Sequence, residues 1–482
     1  MFKAAGMVVV AVWLAMAGLL AHRVYSPVAA TVTGPAVEPG EDWMGIYLEG
    51  RKIGYAVSRV EVTPGGYAVT EEMLTSLKVQ GSSQKIYTQT RSHIDGSFAL
   101  KDFDFSLKSG IADMEIKGVM DGRTLKLDIN TAGRGQKLDL PMEDVPHLSS
   151  DIELLLRKEG LEVGRKLRLQ FFDPGSLSNQ YMEIEVEAKE ELLIANRLLP
   201  VYRVKERFAG LTATTWISPE IGSVKGEGPM GFTFLKETKE QALRPPDVGA
   251  GTVDIIALAS IQAKGSLPEP RRAGFMKARL SGADMSGLDL AGGRQGFSGG
   301  EVTVTREALD GAGHVKLPLT APELTKYLRA EPFVQSEDPK IIAKAREILS
   351  GETDALAAAR KLSGWVYDSL EKKPSAGIPS AVEVLGNLSG DCNEHTVLFT
   401  ALARAAGIPT KMDAGVVMMD GRFYYHAWPE VYVGRWVSID PTFGQFPSDA
   451  THIRLVEGGP DRQISMLKVI GKLNIDILEY RY

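Results

Sequence analysis

The sequence predicts an α+β protein, with a helix-then-sheet domain at the C-terminus, a large antiparallel β region before it and a membrane anchor at the N-terminus. Three observations carry this. From Asp338 to Gly407 apolar residues recur at helical spacing, and beyond Pro409 they recur at strand spacing. From Trp43 to about Ala242 short alternating runs are separated by turn residues, the signature of half-exposed antiparallel sheet. From Ala4 to Ala21 no residue is charged.

A chain of 482 residues has room for roughly two to four domains with sizeable cores. With 55 Lys and Arg against 61 Asp and Glu, a net charge of -6, it has no basic footprint for nucleic acid. Its single cysteine excludes an intramolecular disulfide and confines any thiol chemistry to one residue.

The N-terminal 24 residues read as an export signal, Lys3 preceding the apolar run and His22-Arg23 closing it. The run is longer than a usual signal-peptide core and at the lower limit for a membrane span. An uncleaved single-pass anchor is expected, with the remaining chain in the periplasm or outside. Ala15-Met16-Ala17 offers a cleavage pattern, and cleavage would make the protein secreted. A tether, 25–40, follows.

Residues 41–243 form the expected antiparallel domain, with strands at Lys52–Val57, Tyr67–Thr70, Gln84–Thr88, Leu125–Ile129, Met182–Lys189, Val201–Phe208 and Thr214–Ile217, and one helix over Ile152–Lys158. Such long meandering strands resemble exported bacterial half-barrel domains that cradle a ligand. A spacer or partner-docking role fits them equally. Arg244-Pro245-Pro246-Asp247 opens a β-containing connecting module, 244–325, with turns at Gly292-Gly293 and Gly299-Gly300 and no phosphate-cradling loop.

In the last segment, 326–482, helices are expected at Pro339–Leu349, Asp354–Leu370 and Ser380–Leu385. A fourth begins at Cys392: Asp391 is its N-cap, Glu394 completes a capping box, Leu398, Ala401, Leu402 and Ala405 line one face, and Gly407 and Pro409 end it. Strands follow at Lys411–Met419, Phe423–Val433 and Trp436–Asp440, with a turn at Asp420-Gly421. A thiol in the first helical turn feels the positive end of the helix dipole, which favours thiolate. Free cysteine is also among the most often buried residues, so Cys392 alone decides nothing.

A nucleophilic thiol needs a base and an orienting group. Of seven histidines, only His395, His426 and His452 lie in this segment. His395 sits on the same helix, three residues after Cys392; a separate strand presents a base across a cleft more readily. His426, Trp428, Glu430 and Tyr432 alternate onto one strand face. If Val433-Gly434-Arg435 is a three-residue hairpin loop, Asp440 falls diagonal to His426 on that face, roughly 7–8 Å away between backbones. A two-residue loop would turn Asp440 to the other face.

The run Ser380–Leu455 resembles the core of the transglutaminase-like superfamily in Gly390-Asp391-Cys392, Arg404-Ala405-Ala406-Gly407-Ile408-Pro409, His426-Ala427-Trp428 with Glu430, Trp436 and Asp440-Pro441-Thr442, in that order. The resemblance implies a papain-like fold, with Cys392 as nucleophile, His426 as base and then acid, and Asp440 as orienter. It implies acyl transfer or hydrolysis at amide bonds of peptide or protein substrates through a thioester. Trp428 is expected to wall the substrate cleft, and Trp365 to fill a core. Cys392, His395 and His426 lack the fourth ligand and paired cysteines of a structural zinc site, and no acidic calcium loop appears, so no metal or cofactor is expected. The competing expectation is a membrane-tethered binding scaffold without catalysis.

Overall fold

The computed structural model describes residues 40–79, 82–109, 113–131, 134–208, 211–246, 259–309, 315–373, 380–463, 466 and 468–482. These form two compact units that divide after Ile255. The expected anchor, 1–24, lies outside the described residues, as does the tether up to residue 39. No helix among the described residues is long and apolar enough to cross a membrane.

The N-terminal unit is one 14-stranded sheet. From its first strand, Gly40–Leu48, the sheet runs in chain order to an edge at Arg134–Pro141. On its other side that first strand pairs with Phe232–Lys236, and the sheet continues back through the chain to Lys166–Asp173. Each strand segment expected from alternation lies inside an observed strand, and the expected helix is Ser149–Glu159.

Hydrogen bonds to that helix show that the sheet curves. Asp151 accepts from Ser92 at 3.3 Å and Glu153 accepts from Ser223 at 2.8 Å. The strands carrying Ser92 and Ser223 are five positions apart in the sheet, roughly 24 Å if it were flat. Two helical residues rise only about 3 Å. The sheet must therefore wrap the helix, which buries Leu154 and Leu156 and seats Asp151 and Glu153 among strand hydroxyls.

The C-terminal unit contains the expected helices: Pro339–Leu349 capped by Asp338, Ala355–Ser369 capped by Asp354, Ala381–Asn387 with a Ser380–Glu383 capping box, and Cys392–Ala405. Their inward faces form one core: Ile341, Ala345, Leu362, Val366, Leu398 and Leu402 are almost fully buried together with Val431, Val437 and Ile439 from the strands. Burying each such aliphatic side chain stabilises by roughly 1.5–3 kcal/mol. Trp365 is partly buried against this core, as expected.

The sheet beside these helices has nine strands. Thr410–Met419 and Arg422–Tyr432 pair through Asp420-Gly421, both at positive φ, a two-residue turn that matches strand twist. Segment 244–325, expected as a β-containing connecting module, supplies four strands of this sheet: Ile261–Lys264, Phe275–Ser281, Gln295–Ser298 and Glu301–Thr305. Phe275–Ser281 pairs with the last strand, Asn474–Arg481, so residues far apart in sequence close the unit.

Candidate active site

Asp391 caps the cysteine helix by accepting from Asn393 N at 2.9 Å, and Glu394 reciprocates by accepting from Asp391 N at 2.9 Å. This fixes Cys392 at the first helical position. The helix docks on the His426 strand: Thr396 Oγ1 donates to the Ala427 carbonyl at 3.1 Å, and Cys392 packs with Ala427 and Val417. Cys392 is only 4% exposed.

The expected dipole-favoured thiolate is not what this setting produces. Burial pushes the thiol well above its ordinary pKa, and the neighbouring Asp391 carboxyl adds to the rise, while a backbone hydrogen bond from Ala427 opposes it. Desolvation outweighs the helix terminus. Asp391 is itself held well above the carboxylate range, by burial and then by Glu394.

The three-residue loop is present: Tyr432 pairs with Trp436, Val431 with Val437 and Glu430 with Ser438. Pro429, which lacks a donor, contributes only its carbonyl, accepting from Ile439 N at 3.0 Å, and the register survives it. Asp440 thus arrives on the His426 face, where its Oδ2 lies 2.8 Å from His426 Nε2. Asp440 Oδ1 accepts from Thr442 N at 2.7 Å and Phe443 N at 3.1 Å. Burial would raise its pKa, but His426 and His452 hold it well below the usual range.

An ionised Asp440 only accepts, so His426 Nε2 carries the proton and Nδ1 presents its lone pair. That Nδ1 is buried and has no hydrogen-bond partner. Burial, with His452 and Arg271 assisting, lowers the His426 pKa against the pull of Asp440. The ring is neutral near neutral pH, stacked on Phe443 with centroids 4.8 Å apart.

His395 is fully buried, its Nδ1 turned back 2.5 Å from the Asp391 carbonyl, and burial lowers its pKa to about 4. It is a neutral ring in the helix interior. Trp428, expected on the cleft wall, is 1% exposed, its ring edge-on to His452 at 5.0 Å. Its strand is paired on both sides, and that face is covered by the loop carrying His452.

Sequence reasoning missed what surrounds Asp440. His452 Nε2 lies 3.1 Å from Asp440 Oδ2, and its Nδ1 lies 3.2 Å from Asp449 Oδ1. Arg271 donates to Asp449 and to the Met418 carbonyl and lies over the Phe443 ring. Arg294 donates to Glu307, to Ser448 and to the Asp449 carbonyl. Among the described residues, His426, Asp440 and His452 are the one trio with ligand-type atoms mutually within 4.8 Å. Those atoms already bond to one another, so an ion would have to displace both hydrogen bonds to Asp440 Oδ2.

Cys392 on its helix thus packs against Ala427, next to the strand-borne His426–Asp440 pair. Residues 342–441 match the family model of the transglutaminase-like superfamily, and this C-terminal segment is a transglutaminase-like core. An uncharacterized protein of Haemophilus influenzae is 30% identical over 99 residues, 20% of this chain. The match spans 27% of that relative's length. Among solved structures, a candidate cysteine protease of Cytophaga hutchinsonii is similar at 14% identity and TM-score 0.29, covering 43% of this chain and 86% of that one. A β-barrel-like protein of a domain of unknown function from Brucella abortus is similar at 12% identity and TM-score 0.33, covering 41% of this chain and 94% of that one.

Proposed function

We propose that the protein is a thiol enzyme acting on amide bonds of peptide or protein substrates, with Cys392 as nucleophile, His426 as general base and then acid, and Asp440 as the orienter of His426. The observation that carries this is the placement of His426: Nε2 lies 2.8 Å from Asp440 Oδ2, and Nδ1 is buried and unpartnered, free to take a proton. That ring stands on the strand whose Ala427 touches Cys392.

With the thiol pKa raised and the imidazole pKa lowered, the resting pair is neutral thiol and neutral imidazole. His426 Nδ1 takes the thiol proton as sulfur attacks the carboxamide carbon. The Cys392 backbone N–H, at the helix start, is the natural first donor to the resulting oxyanion. Collapse breaks the C–N bond, His426 protonates the departing amine, and the thioester is resolved by water or a second amine. In the same proposal residues 1–24 anchor the protein in the cell membrane, with substrates in the envelope.

The near-complete burial of Cys392 favours one second reading, a non-catalytic scaffold. Incubating the full chain with a glutamine-containing protein and a primary amine separates them. Mass shifts for amine addition, deamidation or cleavage, lost in Cys392→Ala, are expected; no shift of any kind overturns the enzyme.

A further inference from the structure

We infer that His452 is a fixed imidazolium, clamped between Asp440 and Asp449, which positions Asp440 and keeps the adjacent His426 neutral. This positioning role deepens the proposed function and rests on that reading for its effect on kcat, whereas the protonation of His452 is argued from the donors around its two carboxylate partners.

Both nitrogens of His452 lie at carboxylate oxygens, Nε2 at Asp440 and Nδ1 at Asp449. Neither carboxylate has a proton of its own to offer, because the remaining positions on each face donors. Asp440 Oδ1 accepts two backbone N–H groups, which favours the ionised carboxylate, and its Oδ2 faces His426 Nε2 at 2.8 Å. Asp449 Oδ1 accepts from Thr451 N at 2.8 Å and Thr451 Oγ1 at 2.5 Å, while its Oδ2 accepts from Gln445 Nε2 at 2.9 Å and from Arg271. Two acceptor-only groups flanking one imidazole require protons on both of its nitrogens. The pKa of His452 is accordingly raised: burial opposes charge, and Asp449 and Asp440 overcome it.

The site therefore contains an alternating row: Arg271, Asp449, His452, Asp440 and finally His426. The first four charges cancel. A proton on His426 would leave the row with a net positive charge at its buried end, which low dielectric disfavours. Without His452 the row would carry a net negative charge, and His426 would gain basicity. The uncharged rings of Trp428 and Phe443 also face His452. Beyond the row, Lys372 is the next cation to feel Asp440.

Imidazole nitrogen NMR on the full chain with labelled histidine tests this directly. In the unmodified protein His452 is expected to carry protons on both nitrogens at neutral pH, while His426 is there the neutral Nε2–H tautomer. His452→Gln keeps an amide donor toward Asp440 and removes the charge. In that variant His426 is expected to bind its proton about tenfold more tightly, and the acid limb of kcat to move up by about one pH unit with KM unchanged. A singly protonated His452, or a folded His452→Gln variant whose His426 titrates as in the parent, overturns the inference. If the variant fails to fold, the protonation state of His452 in the unmodified protein still decides. The spectra need no turnover, so an inert Cys392 would sink the proposed function while the charge on His452 stands or falls by its own nitrogen signals.

Discussion

Asp440 Oδ2 receives both His426 Nε2, at 2.8 Å, and His452 Nε2, at 3.1 Å, so one buried oxygen orients two imidazoles. Replacing that oxygen by an amide nitrogen sets a donor against two donors. Asp440→Asn is therefore expected to free His426 to flip its tautomer, lowering kcat by roughly a hundredfold to ten-thousandfold. The variant also loses stability at neutral pH. The native Asp440 pKa is depressed, so its contribution is present above the unfolded carboxylate pKa and is lost as pH falls through the folded value. Urea titrations of parent and variant at neutral and acidic pH check both signs, since the gap between them must close on acidification.

Arg294 joins Glu307 at 3.1 Å and reaches Ser448 Oγ, 154 residues further along the chain, at 2.8 Å. Both members of the ion pair are largely buried, their side chains 6% and 11% exposed. Arg294→Met strands Glu307 without its cation, which typically costs about 3–5 kcal/mol. Glu307 in turn accepts from Ser438 N at 2.7 Å, next to the strand end that leads to Asp440. The C-terminal unit is expected to melt earlier, and Arg294→Met with Glu307→Gln to recover part of the loss. Additive losses in the double variant would show that the pair is not coupled.

Gly390 precedes the N-cap of the cysteine helix at φ +154, and a Cβ there would sit 2.3 Å from Glu394 Cβ and 2.2 Å from Cγ. Glu394 cannot yield without releasing Asp391 N, its capping-box partner. Gly390→Ala is expected to cost about 1–3 kcal/mol and to loosen the first helical turn. Iodoacetamide labelling of Cys392 reads the loosening. It must run faster in the variant than in the parent, and unchanged labelling at unchanged stability would refute the strain at this turn.

What the sequence made legible was local. Asp391 and Glu394 announce a helix start three residues apart, and the Val433-Gly434-Arg435 loop carries register from His426 to Asp440 because strand side chains alternate with a period of two. What stayed hidden depended on distance along the chain. Nothing near Arg271, Arg294 or Glu307 marks them as supports for Asp449 or Ser438, since the pairing of Phe275–Ser281 with the last strand brings them there. His452 is one of three histidines in the segment, and Asp449-Ala450-Thr451 ahead of it is a readable turn signal. Its meeting with Asp440 needed the fold. The protonation of the thiol escapes the sequence for a related reason: the helix dipole is local and visible, whereas the burial that overrides it comes from the whole unit.

His395 offers a prediction whose sign depends on burial alone. Its folded pKa is lowered from 6.5 to about 4, with burial as the main cause. Below pH 6.5 the unfolded chain takes up a proton that the folded helix refuses, so stability falls as pH drops toward 4 and levels off beneath it. The full shift corresponds to a loss on the order of 3 kcal/mol. His395→Gln leaves a neutral group that cannot titrate in this window, and its remaining amide can still reach the Asp391 carbonyl that Nδ1 now meets at 2.5 Å. The variant is expected to be less stable than the parent at pH 7, where a well-packed neutral ring is lost, yet to lose less on going to pH 5. Chemical unfolding of the C-terminal unit, followed at both pH values by the fluorescence of Trp365, Trp428 and Trp436, measures the difference. Parallel losses in parent and variant would mean that His395 takes up its proton in the folded state, and the neutral buried ring would have to be given up.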